Sequence, residues 1–582
     1  MVPLNLQPVT PTRGASYDES MSEQASNAST ASTSSLSAGA AAAPTFSDRS
    51  QIPERYKWDL TSIFPDWDAW QAGCASLDAS LDEFAALRAT LGAGAEALLK
   101  ALHLRDVIGQ LEYKVWYFAS LRYDEDQRDN DVNGRRQQVQ ILFAKAAQAM
   151  SWFDPELLQV PLATVRTWMA AQPALALYRF AVEDLYRQQE HVLDDKGERL
   201  LSLSSRFAGA PSDSYAALST ADAKFPTVTL PSGREVTLTY GQYRAILATN
   251  RSQSDRAEAF RRFHQLFEAN LNTYAALYAS VLQRDWFYAQ ARGYGSTLEA
   301  ALHGNNIPVS VVENLIAATR QGVEPMRRYH KLRKRALGLE TYHVYDGAIP
   351  ILDLDRQYPY DDVVARLPRS VARLGSEYQA LMGQLLNGRC IDVYESPGKR
   401  SGAYSAPVYG VQPYMLLNHN DTLDAAFTLA HEMGHSMHTA LSHAHQPFVY
   451  AGYTIFVAEV PSTLGEALFL EHMLEESRDE RERVVLLQHA IDEIVSTFYT
   501  QVLFADYELQ AHRLVEQGRP VTADVLNALY TDLVKTYHGD ALDYDELQRM
   551  TWARIPHFYS MPYYVYQYAT CFASSAAIMA QL

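Results

Sequence analysis

His431-Glu432-Met433-Gly434-His435 is an H-E-x-x-H sequence, and the interpretation of the whole chain starts from it. Residues four apart lie one above the other on a helix, so His431 and His435 can direct their ring nitrogens at one metal ion. Glu432 can take a proton from a water molecule beside that ion without binding the ion itself. In a chain of this composition the pattern is expected by chance only about 0.03 times. The five residues therefore predict a metal-dependent hydrolase.

The sequence around the motif predicts an amphipathic helix. Small and apolar residues recur at intervals of three and four: Leu423, Phe427, Ala430, Gly434, Met437 and Leu441. Thr422 or Asp421 is expected to cap its N-terminus. The two histidines border the apolar stripe, which predicts an ion at the wall of a cleft. Gly434 leaves room for another backbone to approach closely.

A catalytic zinc needs a third protein ligand and keeps one position open. His438 lies on the same face, but three ligands from one helix would crowd the ion, so we expect it beside the site or facing solvent. A metzincin is excluded, because Leu441 stands where that pattern needs its last histidine. The remaining candidates are downstream carboxylates: Glu459, Glu466, Glu471, Glu475 and Glu476. Glu459 and Glu466 would share a helix face, and spacing alone does not choose between them.

Three stretches carry a resemblance to a known family. They read Lys-Arg-Ser-Gly-Ala-Tyr at 399–404, Leu-Leu-Asn at 416–418 and Thr-Leu-Ala-His-Glu-Met-Gly-His-Ser-Met-His at 428–438. Together they resemble the oligoendopeptidase F family of zinc oligopeptidases, which is related to thimet oligopeptidase and to the peptidyl-dipeptidases. The resemblance extends from residues 58–60 to the C-terminus and is most specific around 428–438.

The resemblance implies the third ligand and the fold. Residues 456–463 resemble the family segment that carries the third zinc ligand, which corresponds to Glu459, and Glu466 then becomes a partner that orients a ligand. The implied fold is mainly α with a small β component. It is a zincin-type metallopeptidase in which a helical shell surrounds a deep substrate channel. Such a channel would admit short unstructured peptides.

A segment near the C-terminus is rich in aromatic residues: His557, Tyr559, Tyr563, Tyr564, Tyr566 and Tyr568. Core packing is the expectation for most of them. The resemblance implies a transition-state role for His557 and substrate contacts for Tyr563 and Tyr566, with Tyr559 as the substitute if Tyr563 points away. A tyrosine hydroxyl is a neutral donor that can stabilise an oxyanion. Family members usually continue beyond the position of Leu582, so we expect weaker packing behind this segment.

Composition is typical of a globular enzyme, with 47% hydrophobic and 20% charged residues in 582. The net charge of −18 argues against a nucleic-acid partner, and no apolar run reaches the length of a membrane span. We recognise no signal peptide. Three cysteines, Cys74, Cys390 and Cys571, favour a reducing compartment, so a cytoplasmic location is expected.

The chain is expected to contain three regions. Residues 1–48 form a disordered Ser/Ala-rich tail, 49–208 an N-terminal helical domain, and 209–582 the catalytic domain. The helix period of Leu77, Leu81, Phe84, Leu87 and Leu91 predicts one helix through all five. Alternation around Pro231-Ser232-Gly233 predicts a β-hairpin over 227–239. A second extended region, 403–417, is expected to offer a strand edge to substrate.

The predicted function is that of a zinc-dependent endopeptidase acting on internal bonds of short peptides. His431, His435 and Glu459 would hold one Zn²⁺ per chain, and Glu432 would be the general base. His557 and tyrosines would stabilise the oxyanion. Two alternatives stay open: a dipeptidyl carboxypeptidase, which needs a positive group for the substrate C-terminus, and an inactive helical peptide-binding protein. The oligomeric state and the cleavage preference are not predicted.

Overall fold

The computed structural model describes residues 46–582, except for the side chains at 195, 199, 202, 205 and 206. These residues form two compact units. The first unit comprises 46–202 and Gln357–Phe469, and the second comprises Leu203–Arg356 and Leu470–Leu582. Residues 1–45 of the predicted tail lie outside the described part of the chain. The division into domains at 208 and 209 stays a prediction.

Helices dominate both units, as predicted. In chain order the α-helices are α1 Trp67–Ala85, α2 Ala95–Glu125, α3 Asn130–Met150, α4 Phe153–Leu157, α5 Leu162–Ala171, α6 Pro173–Ala176, α7 Arg179–Gln188, α8 Asp195–Ala208, α9 Ala210–Ala216, α10 Tyr240–Thr249, α11 Gln253–Glu268, α12 Leu271–Ala291, α13 Thr297–His303, α14 Val309–Gln321, α15 Glu324–Ala336, α16 Tyr360–Ser370, α17 Ser376–Asn387, α18 Leu423–His445, α19 Phe448–Ala451, α20 Ile455–Glu476, α21 Glu480–Glu493, α22 Gln501–Glu516, α23 Ala523–His538, α24 His557–Ser560 and α25 Tyr566–Met579. The strands are β1 Thr227–Thr229, β2 Glu235–Thr237, β3 Ile391–Asp392, β4 Tyr404–Ala406 and β5 Tyr414–Leu416. Short 3₁₀ and π segments are Arg49–Gln51, Glu54–Tyr56, Leu60–Ser62, Leu91–Ala93, Gln189–His191, Ala217–Ala221, Val344–Asp346, Ala372–Leu374, Ile494–Thr500, Gly539–Ala541 and Glu546–Arg554.

The first unit begins with α1, α2 and α3 packed on one another. The predicted helix through Leu91 is wrong in its second half, because α1 ends at Ala85 and Ala89 is left-handed with a φ of 65°. The carboxylate of Glu156 accepts hydrogen bonds from the backbone N–H groups of Ala89 and Leu91, at 2.7 and 2.8 Å. Leu91 is still fully buried. The apolar spacing that predicted a helix therefore extends beyond the end of α1, across a turn that Glu156 stabilises.

A small sheet supports the motif helix in the first unit. Its strand order is β3-β5-β4, with β5 parallel to β3 and antiparallel to β4. The predicted extended region at 403–417 is confirmed as β4, a connection and β5. Helix α18 packs against β4 and β5, and Ser405 on β4 shares a hydrogen bond of 2.9 Å with Ser436 on α18.

The Lys-Arg pair of the 399–404 motif is buried beneath this sheet. The ammonium of Lys399 donates to the backbone carbonyls of Tyr394 and Leu417, and it lies 2.8 Å from a carboxylate oxygen of Asp392. Asp392 is fully buried and also accepts from the guanidinium of Arg49. These contacts tie the strand ends to the start of the described chain. Lys399 therefore supports the sheet rather than facing a ligand.

The second unit contains the predicted hairpin, β1 and β2, paired antiparallel with Thr227 opposite Thr237. Gly233 occupies the turn with a φ of 88°, which explains why glycine is needed there. The helices of the second unit enclose an aromatic core, in which the rings of Tyr278 and Phe558 stack with centroids 5.6 Å apart. Among the described residues no helix combines the length and the hydrophobicity needed to span a membrane.

Candidate metal centre

The site is built where α18 crosses α20 in the first unit. Thr422 caps α18, as one of the two predicted candidates, by accepting the N–H of Ala425 at 3.2 Å. At the crossing, a Cβ added to Gly434 would lie 2.4 Å from the carbonyl oxygen of Pro461 and 2.5 Å from the Cα of Ser462. The prediction that Gly434 admits a second backbone is therefore confirmed. Backbone contact at this point places acidic residues of α20 opposite the histidines of α18.

Three potential ligand atoms form a nearly equilateral triangle. The Nε2 atoms of His431 and His435 are 3.2 Å apart, and they lie 3.3 and 3.4 Å from Oε2 of Glu459. A tetrahedral ion with bonds of about 2.0–2.2 Å needs ligand atoms about 3.3–3.6 Å apart. The residues present therefore fit a tetrahedral metal with one open position. Among the described residues this is the single group of three that meets the spacing for a metal.

The two glutamates that the spacing left open have different positions. Glu459 is the one at the triangle, whereas Oε1 of Glu466 accepts a hydrogen bond of 2.6 Å from Nδ1 of His431. Because Nδ1 carries the hydrogen, Nε2 presents its lone pair to the ion. This contact is the one expected of a partner that orients His431, and the role of Glu466 toward a metal stays a prediction.

Glu459 is held in its ionised form. It is buried, and burial favours its neutral form, but His435 and His431 outweigh that effect and hold the pKa of Glu459 well below its usual range. The hydroxyl of Ser462 donates to Oε2 at 2.8 Å, which fixes the rotamer of the carboxylate. Sequence reasoning missed Ser462. Its signal is a hydroxyl residue one helical turn after an acid.

Glu432 is not one of the three residues of the ligand triangle, and it is buried at 6% exposure. Burial raises the pKa of Glu432 above its usual value, and the neighbouring His431 and His435 act in the opposite direction. A buried carboxylate whose pKa is raised in this way can accept a proton and hold it during a reaction.

His438 does not belong to the ligand triangle. Its ring stacks on Tyr453 with centroids 3.7 Å apart and planes inclined by 20°. Burial lowers the pKa of His438 to about 4, so the ring is neutral at physiological pH. Tyr453 precedes α20 in the chain and was also missed from sequence.

The aromatic segment belongs to the second unit. His557 begins α24, and its ring lies 5.8 Å from that of Tyr564 and 6.1 Å from that of Tyr568. Burial lowers the pKa of His557 to about 4. The ring is therefore neutral and largely enclosed by tyrosines.

Tyr563 is held by several internal contacts in the second unit. It is left-handed, with a φ of 58°, and its N–H donates to the buried carboxylate of Glu508 at 2.7 Å. Its hydroxyl shares a hydrogen bond of 2.7 Å with Thr297, and its ring packs on His512. Tyr566 is 2% exposed at the start of α25. Tyr559 stacks on Tyr215 at 3.9 Å in the core.

The fold and the site together define a class of protein. A helix carrying H-E-x-x-H, crossed by a second helix that supplies a carboxylate, is the arrangement of a zincin-type metallopeptidase. The comparisons with known proteins make this class more specific.

The chain belongs to peptidase family M3. The family described as Peptidase family M3 matches residues 246–581, and the description Oligopeptidase F matches residues 156–225. The sequence-based resemblance is thereby confirmed, and the chain is a metallopeptidase, a hydrolase of peptide bonds.

Relatives and solved structures agree with this assignment over most of the chain. Oligopeptidase PepF of Bacillus subtilis is 33% identical over 92% of this chain and 80% of the relative. Group B oligopeptidase PepB of Streptococcus agalactiae is 34% identical over 91% of this chain and 88% of the relative. A solved structure from Chlamydophila abortus has a TM-score of 0.82 at 32% identity, covering 90% of this chain and 88% of that one. The oligoendopeptidase-F structure from Enterococcus faecium has a TM-score of 0.66 at 30% identity, covering 88% and 87%.

Proposed function

We propose that this metallopeptidase is a zinc-dependent endopeptidase that hydrolyses internal bonds of short, unstructured oligopeptides. The observation that carries the proposal is the ligand triangle of His431, His435 and Glu459 with Glu432 beside it on α18. Two imidazoles and one carboxylate suit zinc better than magnesium or calcium, which prefer oxygen ligands. When bound, the metal supplies Lewis acidity toward a water molecule and toward the scissile carbonyl.

Glu432 is the proposed general base. Its carboxylate takes a proton from the attacking water and passes that proton to the amine that leaves. Burial supports this role because a raised pKa lets the carboxyl hold the proton between the two transfers. Glu466 keeps His431 in the tautomer that presents Nε2.

The substrate backbone is proposed to lie along β4. This strand is at the outside of the sheet, since β5 is paired on both sides, and it packs beside α18. Addition of an extended peptide to an outer strand aligns its carbonyls through backbone hydrogen bonds and makes few demands on side chains. His557 and the tyrosines Tyr563 and Tyr566 are proposed, on the family resemblance, to stabilise the oxyanion or contact the substrate.

The names of the relatives support an oligopeptidase. Oligopeptidase PepF of Bacillus subtilis and an oligoendopeptidase F homologue of Lactococcus lactis each match more than nine-tenths of the chain. Membership of a peptidase family argues against the inactive peptide-binding alternative. The dipeptidyl carboxypeptidase alternative is separated by substrate, because an enzyme that reads a free C-terminus does not cleave a blocked peptide.

The test pairs metal content with hydrolysis of a quenched fluorescent peptide blocked at both ends. The wild-type protein should bind one Zn²⁺ and cleave the peptide internally, with activity lost to a chelator and restored by Zn²⁺. Glu432→Ala should keep the metal and lose about 10²–10⁴-fold in kcat. Asp424→Asn on the same helix is the control for a lost carboxylate and should retain most activity. Cleavage by Glu432→Ala at the wild-type rate would refute the base assignment.

A further inference from the structure

Three side chains of α18 attach the chain just before α20. His438 stacks on the ring of Tyr453 with centroids 3.7 Å apart, and the hydroxyls of Thr439 and Tyr453 are 2.8 Å apart. One turn further along α18, the hydroxyl of Ser442 donates to the carbonyl of Ala451 at 2.7 Å. Ser442 lies on the same side of α18 as His438 and Thr439, since it follows them by four and three positions. The connection 451–454 is thus fastened to the helix that carries the two histidine ligands.

Glu459 lies only one turn inside α20, which begins at Ile455. Downstream of Glu459, the backbone contact of Gly434 with Pro461 and Ser462 fixes the helix. Upstream, Tyr453 contacts His438 and Thr439 of α18 two residues before α20 begins. The third ligand is therefore held between two attachments to α18, one on each side along the chain.

Metal binding is sensitive to small displacements of this turn. Ligand distances must hold to about 0.2 Å, and one residue of helix advances about 1.5 Å. A start of α20 displaced by a fraction of a residue would remove Oε2 of Glu459 from the triangle. Gly452, next to Tyr453, gives the connection no side chain of its own with which to resist such a displacement.

We propose that Tyr453 is a positioning residue for the metal: held by His438 and Thr439, it fixes the start of α20 and thereby the place of Glu459. His438 was a candidate ligand by its spacing. In the structure its ring stacks on the ring of Tyr453 and so holds Tyr453 in place. The proposal rests on the metal site of the proposed function but not on peptidase activity. Its measurement is therefore metal binding.

The experiment measures the Zn²⁺ dissociation constant by competition with a chromophoric chelator, for the full chain and its variants. Tyr453→Leu, which loses both ring and hydroxyl, should raise that constant about 10- to 100-fold, the usual effect of losing a residue that orients a ligand. Tyr453→Phe keeps the stacked ring and should raise it by less than about tenfold. Thr439→Val removes the other end of the same hydrogen bond, so it should match Tyr453→Phe, and the double variant should add little.

Tyr186→Leu is the matched control in the same unit. Its hydroxyl lies 2.7 and 2.6 Å from the carbonyl oxygens of Leu157 and Val160 and shares its one hydrogen between them, so its loss also removes a ring and a part-buried hydrogen bond. It should lower stability while leaving Zn²⁺ affinity within about twofold of wild type. Visible absorption of the Co²⁺-substituted proteins adds a geometric readout. Tyr453→Leu should lose the intense bands of a four-coordinate ion, and Tyr186→Leu should keep them.

The outcomes separate this proposal from the proposed function. If Tyr453→Leu binds Zn²⁺ with wild-type affinity, the proposed positioning role is overturned, and Tyr453 contributes only to packing. If Tyr453→Leu does not fold, wild-type affinity in both Tyr453→Phe and Thr439→Val would overturn it equally. A wild-type protein that binds Zn²⁺ with the expected variant pattern but cleaves no peptide would refute the proposed function and leave this positioning role standing.

Discussion

The metal centre of the first unit and the aromatic segment of the second unit use their polar atoms in opposite ways. At the metal centre, His431, His435 and Glu459 direct three atoms at one point, and other side chains orient them. In the aromatic segment, the polar atoms of Tyr563 are engaged by Glu508 and Thr297 inside the protein. The first region has ligand atoms with the geometry of a metal site. Much of the second is organised around its own neighbours.

This difference shows which sequence patterns carry functional information. The spacing of the two histidines has a direct geometric meaning on a helix, so it predicts a shared ligand. A cluster of tyrosines has no comparable geometry, because each ring can either pack or expose its hydroxyl. The sequence therefore predicts residue roles more specifically at the metal centre than in the aromatic segment. Variants in both regions test this difference.

The largest effect is expected at the crossing of the two ligand helices. Gly434→Ala places a Cβ 2.4 Å from a backbone oxygen, and backbone cannot rotate away as a flexible side chain can. We expect a loss of about 3 kcal/mol in the free energy of unfolding, together with weakened Zn²⁺ binding, because overpacking forces the helices apart. Urea unfolding and chelator competition measure the two effects.

Gly383→Ala in α17 is the control for that substitution. An added Cβ there meets no atom within 4 Å, so helix propensity should make the change neutral or stabilising by up to about 1 kcal/mol. If both variants had the same stability and Zn²⁺ affinity, α18 and α20 could separate without cost. The geometry of the metal centre would then not depend on the close contact of the two helices.

The next effect concerns the carboxylate behind the first histidine. Glu466→Gln keeps a hydrogen-bond acceptor for Nδ1 of His431 but removes the charge, so Zn²⁺ affinity should fall about 10- to 100-fold. Glu475→Gln, at an exposed position further along α20, should leave affinity unchanged. A larger effect from Glu475 would contradict the choice made among the downstream acids.

In the aromatic segment, acid should weaken the protein through His557. Its pKa is lowered from 6.5 to about 4 by burial, so below pH 6.5 the unfolded chain takes up a proton that the folded protein refuses. Stability is therefore fully present above pH 6.5 and is lost as the pH falls toward 4, by about 3 kcal/mol for this group. His557→Gln should remove that part of the pH dependence, measured by urea unfolding with chelator present.

The exposed His445→Gln is the comparison for His557 and should keep the wild-type pH dependence. Parallel curves for wild type and His557→Gln would mean that His557 takes up its proton in the folded protein. That result would mean that solvent reaches the His557 ring in the folded protein. The aromatic segment would then resemble a binding site more closely than a packed core.

The smallest effect is expected at Tyr563. Losing its hydrogen bond with Thr297 should cost about 1 kcal/mol of stability, and a double-mutant cycle of Tyr563→Phe with Thr297→Val should show coupling of that size. Tyr566→Phe should show no coupling with Thr297. If Tyr563 shows no coupling with Thr297 and Tyr563→Phe lowers kcat, the Tyr563 hydroxyl would have to contact the substrate instead of Thr297.

Much of the metal centre could be predicted from the chain, and the reasons are local. The motif helix, its cap at Thr422 and the close approach at Gly434 depend on neighbours within a few turns. The choice of Glu459 over Glu466 could not be made by spacing, because it depends on how α20 crosses α18. The resemblance to known sequences supplied that information before the structure did.

Other features depend on contacts that no local pattern contains. Helix α1 ends at Ala85 because Glu156, far along the chain, caps the following turn. The role of Tyr453 requires knowing that its ring meets His438. No local pattern indicates that Lys399 and Arg400 are buried, yet both are only 9% exposed. Long-range partners decided each of these cases.

The ion-pair cluster under the sheet has a practical meaning for protein engineering. Asp392 has no solvent to compensate its charge, so it depends on Lys399 from one side and Arg49 from the other. Shortened versions of the chain that begin after residue 49 would leave this carboxylate with one counter-charge in place of two. Affinity tags and fusion partners should consequently be joined upstream of residue 46, so that the ion pairs of Asp392 beneath the β3-β5-β4 sheet are kept.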